Sequence, residues 1–121
     1  MTDVNELLHA NLHRVFGERD GARRRAAIDE VYAVDVRFTD PEGTAVGRDA
    51  LDAKAAELLG RTPDVFVFVE DGPAYTGADT GALAWAFGPE GSPVARGIDL
   101  ITVRDGAIVE LRTLLLDAPQ D

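Results

Sequence analysis

Apolar residues recur along the first half of the chain at the spacing of helices. Residues 3–18 place them three and four positions apart, which predicts a helix with one buried face. The same spacing over residues 22–33 and 48–60 predicts two further helices. Residues 36–40 lie between the second and third helices and are typical of a strand, which Pro41 ends.

The second half of the chain consists of short apolar runs separated by turn residues, which predicts strands over 65–69, 73–78, 82–87, 93–103 and 107–116. An Asp105-Gly106 turn joins the last two into a hairpin. Three helices followed by antiparallel strands predict an α+β fold, with the helices packed on one face of a strongly curved antiparallel sheet. No linker or repeat interrupts residues 1–121, so we expect a single domain.

Two acidic residues fall on strand faces that are otherwise apolar. Side chains alternate across a strand, so Asp40 shares its face with Val36 and Phe38. By the same rule Asp99 shares its face with Ile101 and other apolar residues. Burial disfavours the charged form of a carboxyl group and raises its pKa unless donors or cations compensate. Each acid is therefore a candidate general base, or a neutral acid that donates a hydrogen bond.

Each acid also has a purely structural interpretation. Asp before proline commonly opens a turn, so Asp40 is also explained as the cap of the loop that follows Pro41. Asp99 is also explained by an ion pair with Arg96 or Arg112, although alternation directs Arg96 to the opposite face. The sequence leaves both interpretations open.

Composition and charge exclude several classes of function. The 12 Lys and Arg residues stand against 22 Asp and Glu, and the formal net charge of −10 repels nucleic acids and anionic membranes. The chain has no cysteine, which removes disulfides, thiolate nucleophiles and cysteine-bound metals. We find neither a secretory signal pattern nor an apolar run near the ~20 residues that span a bilayer, and expect a cytoplasmic protein. Without a glycine-rich phosphate loop, no cofactor is expected.

Two other sets of residues have spacings that suggest a site. His9 and His13 stand four apart on the first predicted helix, a spacing that can hold zinc. No third ligand accompanies them and both lie beside the apolar stripe, so we favour surface positions and predict no metal. Arg96, Asp99 and Asp117 offer the Asp-Arg-Asp set of an epoxide-hydrolase-like site, but the parity of Arg96 is wrong for it.

Three segments together resemble the NTF2-like superfamily, which contains the SnoaL-like and ketosteroid-isomerase-like cone folds. They are residues 32–48 with the run Thr39-Asp40-Pro41, the strand around 97–99, and the hairpin at 104–108 that leads toward Asp117. The resemblance covers nearly the whole chain. It implies a pocket between the helices and the concave sheet face, with Asp40 at the position of the isomerase's base. It puts Asp99 at the position of a protonated donor in the oxyanion hole.

The sequence departs from the isomerase pattern at two positions. Phe16 falls where the isomerase has its oxyanion tyrosine, and Ala55 falls near a supporting tyrosine, so only Tyr32 retains a phenol. Loss of one oxyanion donor typically costs ~10²–10³ in rate, which argues against a true steroid isomerase.

The resemblance and the acids together predict an apolar pocket for a small apolar molecule. Its expected lining is Phe16, Tyr32, Phe38, Val67, Trp85 and Ile101. We expect a cofactor-independent proton-transfer enzyme, of isomerase, cyclase or dehydratase type, that acts on a ring-bearing carbonyl compound. Asp40 would be the base and Asp99 the donor or second acid. The alternative is a non-catalytic dimeric ligand-binding or scaffold protein, whose aromatic side chains could fill the interior.

The predicted strands are apolar on their second face as well. Val94, Ile98 and Leu100 lie on the face opposite Asp99. A sheet that is apolar on both sides must cover both, and a second copy is the simplest cover for the outer one. We therefore expect a homodimer through the outer sheet face.

Overall fold

A computed structural model describes residues 3–116. Asp117, a member of the predicted Asp-Arg-Asp set, lies outside these residues. The elements in chain order are helix α1 (Val4–Ala10) with a π-helical segment (Asn11–Phe16), α2 (Gly21–Val31), β1 (Tyr32–Asp40), β2 (Gly43–Val46), α3 (Arg48–Gly60), β3 (Phe66–Glu70), β4 (Tyr75–Thr76), β5 (Thr80–Pro89), β6 (Ala95–Arg104) and β7 (Ala107–Leu115). This arrangement confirms the predicted α+β class and its three helices.

The strands form one sheet in the order β2-β1-β7-β6-β5-β3, with β4 paired to β5. All pairs are antiparallel except β1 and β7, which run parallel. The sheet is thus mostly antiparallel, with one parallel pair that the sequence pattern did not predict. The hairpin with β2 occupies one edge of β1, so its other edge is free for the last strand of the chain, which arrives in the same direction.

The largest differences from the prediction concern β1 and β2, whereas the other predicted elements begin and end within two residues of their observed bounds. Strand β1 begins at Tyr32, which pairs with Ile108, rather than at residue 36, and a register shift separates Tyr32 from Arg37. The segment after Pro41 is strand β2 rather than only a loop, and its Thr44 hydroxyl lies 3.0 Å from that of Thr39. Irregular pairing and turn-like composition hide both features from a pattern of alternation.

The helices cover the concave face of the sheet and enclose one hydrophobic core. Asp3 and Asp20 cap α1 and α2 by accepting backbone N–H bonds of 2.8 Å and 2.9 Å from Glu6 and Arg23. Side chains that are at most 1% exposed mark the centre of the core: Leu8, Leu12, Val15, Ile28, Tyr32, Val36, Leu51, Ala55, Ile108 and Leu111. None of the helices within residues 3–116 is long and apolar enough to cross a membrane.

The first helix widens where it approaches the sheet. Over Asn11–Phe16 it is π-helical, and at its end the Gly17 N–H bonds to the Leu12 carbonyl at 2.8 Å. A π-helical turn carries an extra residue, which rotates the side chains that follow it. Asn11 begins this segment and is fully buried together with Leu12, Val15 and Phe16, so a polar amide lies in the interior.

Candidate functional site

Asp99 is buried beneath the helices and held by three neutral donors. Its side of β6 faces the core, and the residue is only 5% exposed. Oδ1 accepts the indole N–H of Trp85 at 3.0 Å and the hydroxyl of Thr113 at 2.8 Å. Oδ2 accepts the side-chain N–H of Asn11 at 2.8 Å. Both carboxylate oxygens are thus satisfied without a cation.

The sheet register brings two of these donors to Asp99. On β7, Thr113 stands directly opposite Asp99, so the two side chains lie on the same face. On β5, Trp85 pairs with Gly97 and reaches diagonally toward Asp99. A Cβ on residue 97 would lie 2.5 Å from the Trp85 ring, so glycine leaves the space that the indole occupies. Asn11 approaches from the π-helical segment above the sheet.

The surroundings of Asp99 shift its titration. Burial raises the pKa of Asp99 to about 6, and the bonds from Thr113, Trp85 and Asn11 oppose part of that increase. A group with this pKa is ionised by about ten to one at pH 7 and is readily protonated. It therefore titrates close to neutral pH, as a general acid–base group needs to do.

The alternative interpretation of Asp99 as half of an ion pair is wrong. Arg96 bonds to Asp71 at 2.8 Å, and Arg112 lies 3.8 Å from Glu110. Within residues 3–116, no Lys, Arg or His lies within ion-pair distance of Asp99. Alternation had already directed Arg96 away from it.

A cavity of about 250 Å³ adjoins Asp99. Apolar and aromatic side chains make up most of its wall: Leu12, Phe16, Phe38, Leu58, Phe68, Trp85, Phe87 and Leu115. Phe68 meets Trp85 edge-on at 5.3 Å, and Phe16 meets Phe38 at 5.6 Å. These aromatic side chains line the space rather than fill it. A compact apolar wall with a few polar groups is the usual composition of a small-molecule site.

A second polar group of this cavity lies at the junction of β1 and α3. Asp40 Oδ1 accepts the backbone N–H of Glu42 at 2.9 Å, which is the predicted turn cap. Asp40 Oδ2 lies 3.6 Å from Lys54 Nζ, and Lys54 donates to Glu42 at 2.9 Å. The bond to Glu42 raises the pKa of Lys54, which keeps the amine charged. Asp40 therefore caps the turn and also lines the cavity.

The predicted site residues divide into two groups. Those that line the cavity are Phe16, Phe38, Asp40, Trp85 and Asp99. The other three do not. Val67 alternates with Phe66 and Phe68 and is 41% exposed on the other face of β3. Ile101 is packed in the core two residues beyond Asp99, and Tyr32 is fully buried behind Asn11.

Three polar residues that contact Asp99 or line its cavity were not among the predicted site residues. Asn11 stands four positions after Leu7 and four before Val15, so a polar residue on the apolar stripe was the available signal. Thr113 on β7 was hidden because its relation to Asp99 depends on register. Lys54 is the only lysine in the chain. Its position on the cavity wall depends on how α3 packs beside β1.

His9 and His13 share one surface carboxylate. The Nε2 atom of His9 lies 3.2 Å from Glu70 Oε1, and that of His13 lies 2.7 Å from Glu70 Oε2. Contact with His13 is the main cause of the lowered pKa of Glu70. These contacts connect the first helix to β3 and account for both histidines as part of the surface.

The buried acid and its cavity belong to an α+β cone-like fold with helices on one face of a curved sheet, the fold class that the sequence resemblance predicted. A family model described as a SnoaL-like domain matches residues 10–111. The chain therefore belongs to the SnoaL-like domain family. No curated protein matches it in sequence.

Solved structures of low sequence identity have the same fold. A candidate isomerase of the SnoaL-like family from Agrobacterium tumefaciens str. C58 is 23% identical with a TM-score of 0.83, over 92% of this chain and 95% of that one. A candidate SnoaL-like polyketide cyclase from Jannaschia sp. CCS1 is 18% identical with a TM-score of 0.71, over 95% and 89% of the two chains. A de novo designed protein with a curved β-sheet is 13% identical with a TM-score of 0.72, over 92% and 83%. At these identities the likeness concerns the fold alone, and a fold does not determine an activity.

Proposed function

We propose that this chain is a cofactor-independent proton-transfer enzyme, of isomerase, cyclase or dehydratase type, that acts on a small ring-bearing carbonyl compound. The observation that carries the proposal is Asp99, a buried carboxyl group with a pKa of about 6 beside an apolar cavity. The names of the Agrobacterium and Jannaschia proteins, a candidate isomerase and a candidate polyketide cyclase, are consistent with it.

In the proposed reaction Asp99 acts first as a base and then as an acid. Its carboxylate removes a proton from the carbon next to the substrate's carbonyl group, and the electron pair of the C–H bond moves into an enolate. The neutral Asp99 then returns the proton at a second carbon, which gives an isomer. In a cyclase the enolate carbon instead attacks a second carbonyl carbon of the same molecule, and the proton goes to the new alkoxide. Neither route needs an external oxidant or reductant.

We assign Asp40 and Lys54 to the polar end of the substrate rather than to the initial proton removal. The Asp40 carboxylate accepts the Glu42 N–H and lies 3.6 Å from the Lys54 amine, so it is already partnered. Lys54 contributes a positive charge to the cavity wall. A cation of this kind can stabilise the negative charge that develops on an enolate oxygen.

The size of the cavity restricts the substrate class. Its volume of about 250 Å³ lies just below the ~300–1,000 Å³ usual for sites that bind drug-sized ligands. We therefore propose a compact substrate with one or two rings rather than a four-ring steroid. The aromatic side chains of Phe16, Phe68 and Trp85 would contact the faces and edges of those rings.

A non-catalytic ligand-binding protein is the second candidate function, and Phe16 favours it. In the isomerases that the sequence resembles, a tyrosine at this position donates to the developing oxyanion, whereas phenylalanine has no donor. A protein that binds an apolar ligand without turning it over needs no such group. The same cavity and the same buried acid serve this function equally well.

Hydrogen–deuterium exchange in a bound ligand separates the two functions. A thermal-shift screen of one- and two-ring ketones, enones and 1,3-diketones identifies ligands first, because a bound ligand raises the melting temperature. NMR in D₂O then follows exchange at the carbon next to the carbonyl group. We expect exchange with the wild type and its loss, by at least ~10²-fold, in Asp99→Asn.

The matched control for this experiment is Asp64→Asn, because the Asp64 side chain is 98% exposed. This variant should catalyse hydrogen–deuterium exchange in the ligand at the wild-type rate. Ligand binding with no exchange in any variant would favour the binding protein. Undiminished exchange in Asp99→Asn would refute the role of Asp99.

We further propose that the chain forms a homodimer through the outer face of its sheet. Ile98 and its register partner Leu114 are 41% and 54% exposed there. Val69 on β3 adds a third exposed apolar side chain at 42%. Exposed apolar side chains grouped on one face of a sheet are typical of a protein–protein interface. Sedimentation velocity tests the proposal: the wild type should sediment as a dimer and Ile98→Asp as a monomer, and a monomeric wild type would refute it.

A further inference from the structure

The side chains of Tyr32, Asn11 and Asp99 form a buried chain of hydrogen bonds that leads away from the cavity. Tyr32 donates its hydroxyl to Asn11 Oδ1, and Asn11 Nδ2 donates to Asp99 Oδ2 at 2.8 Å. Tyr32 and Asn11 are fully buried, and neither lines the cavity. Neither residue can touch a substrate directly, so any effect on a reaction acts through Asp99.

We propose that Tyr32 and Asn11 are positioning residues that fix the orientation of the Asp99 carboxylate. In this orientation one lone pair of Asp99 Oδ2 remains free to accept the substrate's proton. The inference deepens the proposed function and rests on the role of Asp99 in it.

The first step of the argument concerns the orientation of the Asn11 amide. An amide can rotate by half a turn and exchange its oxygen for its nitrogen. Both neighbours oppose this exchange, because a flipped amide would turn its oxygen toward the Asp99 carboxylate, which only accepts, and would lose the bond that the Tyr32 hydroxyl donates to Asn11 Oδ1. Burial, with a smaller contribution from the Asp99 charge, raises the pKa of Tyr32 well above its usual range. The phenol therefore stays protonated and keeps Asn11 Nδ2 directed at Asp99.

The second step counts the acceptor positions of the carboxylate. Each carboxylate oxygen has about two lone-pair directions. Oδ1 accepts from both Trp85 and Thr113, and Oδ2 accepts from Asn11 alone. Within residues 3–116 no further donor reaches either oxygen, so the remaining lone pair belongs to Oδ2. A proton arriving from a substrate finds the other three positions already occupied by N–H or O–H groups.

The third step excludes a proton wire. Asn11 has no titratable proton at neutral pH and cannot carry one from Asp99 to Tyr32. The raised pKa of Tyr32 also opposes its ionisation. The chain of hydrogen bonds therefore orients Asp99 and does not transfer protons away from it. This keeps the removed proton available for return to the same substrate molecule.

The backbone holds the far end of this chain in place. Arg48 at the start of α3 donates to the Tyr32 carbonyl from Nε at 3.0 Å and from a terminal guanidinium nitrogen at 2.7 Å. Tyr32 also pairs with Ile108 on β7. The phenol thus extends from a fixed point in the sheet, as a positioning group requires.

The test follows the carboxyl carbon of Asp99 by ¹³C NMR as the pH changes, which needs no substrate. The variant Tyr32→Phe removes only the hydroxyl and retains the ring. We expect it to free the Asn11 amide, and the pKa of Asp99 to rise by roughly half to one pH unit as the donated bond weakens. Asn11→Leu should raise it by roughly one pH unit or more, because no donor then remains on Oδ2.

Tyr75→Phe is the matched control, because Tyr75 is 72% exposed on β4 and should leave the Asp99 titration unchanged. Asn11→Gln tests rescue with a longer amide and should lie between Asn11→Leu and the wild type. A merely structural Tyr32 would lower the melting temperature in Tyr32→Phe and leave the Asp99 pKa at its wild-type value, and that result overturns the proposal. If Asn11→Leu does not fold, Tyr32→Phe alone decides.

The same experiment distinguishes this inference from the proposed function. A shifted Asp99 pKa in Tyr32→Phe, without hydrogen–deuterium exchange in any bound ligand, supports the positioning role and refutes the proposed enzyme. Hydrogen–deuterium exchange in the ligand that depends on Asp99, together with an unchanged Asp99 pKa in Tyr32→Phe, supports the proposed enzyme and refutes the positioning role.

Discussion

Trp85 and Asp99 lie on neighbouring strands, and the indole N–H of Trp85 donates to Asp99 Oδ1 at 3.0 Å. Trp85 thereby has two roles, since its ring also lines the apolar cavity. A hydrogen bond to a charged group contributes roughly 1.5–3 kcal/mol, about twice a bond between neutral groups. Trp85 thus connects the apolar wall to the ionised state of the acid.

The variant Trp85→Phe should raise the pKa of Asp99 by roughly one pH unit, because one donor to the anion is lost. It should also lower the free energy of unfolding at pH 7.5 by roughly 2–4 kcal/mol, through the lost bond and the smaller ring. Phe66→Leu is the control, because it reduces an aromatic side chain outside the cavity wall. It should reduce stability and leave the Asp99 titration in place. An unchanged Asp99 titration in Trp85→Phe would contradict the role assigned to the indole.

The free energy of unfolding should depend on pH through the titration of Asp99. Its native pKa of about 6 lies above the usual 3.8 of an aspartic acid, so the native state binds the proton more tightly than the unfolded chain. Between about pH 4 and 6 the native state holds more protons, and this group's contribution to stability falls as the pH rises. Two pH units correspond to roughly 3 kcal/mol.

Urea unfolding of the wild type and Asp99→Asn at pH 4.5, 6 and 7.5 measures this contribution. The stability of the wild type relative to Asp99→Asn should decline over the series, because asparagine does not titrate. The comparison uses the slope rather than the absolute difference, since asparagine also changes the hydrogen bonds. A difference that is constant with pH would mean that Asp99 has an ordinary pKa.

Alternation along single strands was sufficient to predict that Asp99 faces the core and that Arg96 does not. It could not predict Thr113, because the partner of a residue across the sheet depends on register. Asn11 was missed for a different reason, since it lies on the apolar stripe of the first helix and its contact with Asp99 depends on how that helix packs on the sheet. The parallel contact between β1 and β7 joins residues far apart in the chain, which local patterns do not report.

The single lysine of the chain allows a direct test of the cavity's polar end. Reductive methylation with ¹³C-formaldehyde labels Lys54 and the amino terminus, so one side-chain signal reports on the cavity wall. A ligand in the cavity should shift that signal, and Asp99→Asn should leave the shift in place. Ligands found by thermal shift that do not move the Lys54 signal would bind elsewhere.

The variant Lys54→Met should separate a role in binding or catalysis from a role in stability. Lys54 contacts Asp40 and Glu42 near the surface, and pairs of this kind contribute roughly 0–1 kcal/mol, so the melting temperature should change little. If Lys54 stabilises the enolate, the rate of hydrogen–deuterium exchange in the bound ligand should fall by roughly 10–100-fold, while the affinity for the ligand changes less. Exchange at the wild-type rate would remove Lys54 from the proposed mechanism.

Gly97 provides a test of how tightly the site is built. A Cβ at this position would lie 2.5 Å from the Trp85 ring and 2.6 Å from the Leu114 carbonyl oxygen, and the backbone oxygen cannot move aside easily. Gly97→Ala should therefore lower the free energy of unfolding by roughly 1–3 kcal/mol and displace the indole from Asp99. Gly60→Ala is the matched control at the end of α3, where nothing lies within 4 Å of an added Cβ, and its stability should be unchanged or slightly higher. Chemical denaturation gives the two stabilities, and the Asp99 titration reports whether Trp85 has moved. If Gly97→Ala has wild-type stability and an unchanged Asp99 pKa, the Trp85 indole can adjust to the added methyl group, and the site is less tightly packed than the distances at Gly97 indicate.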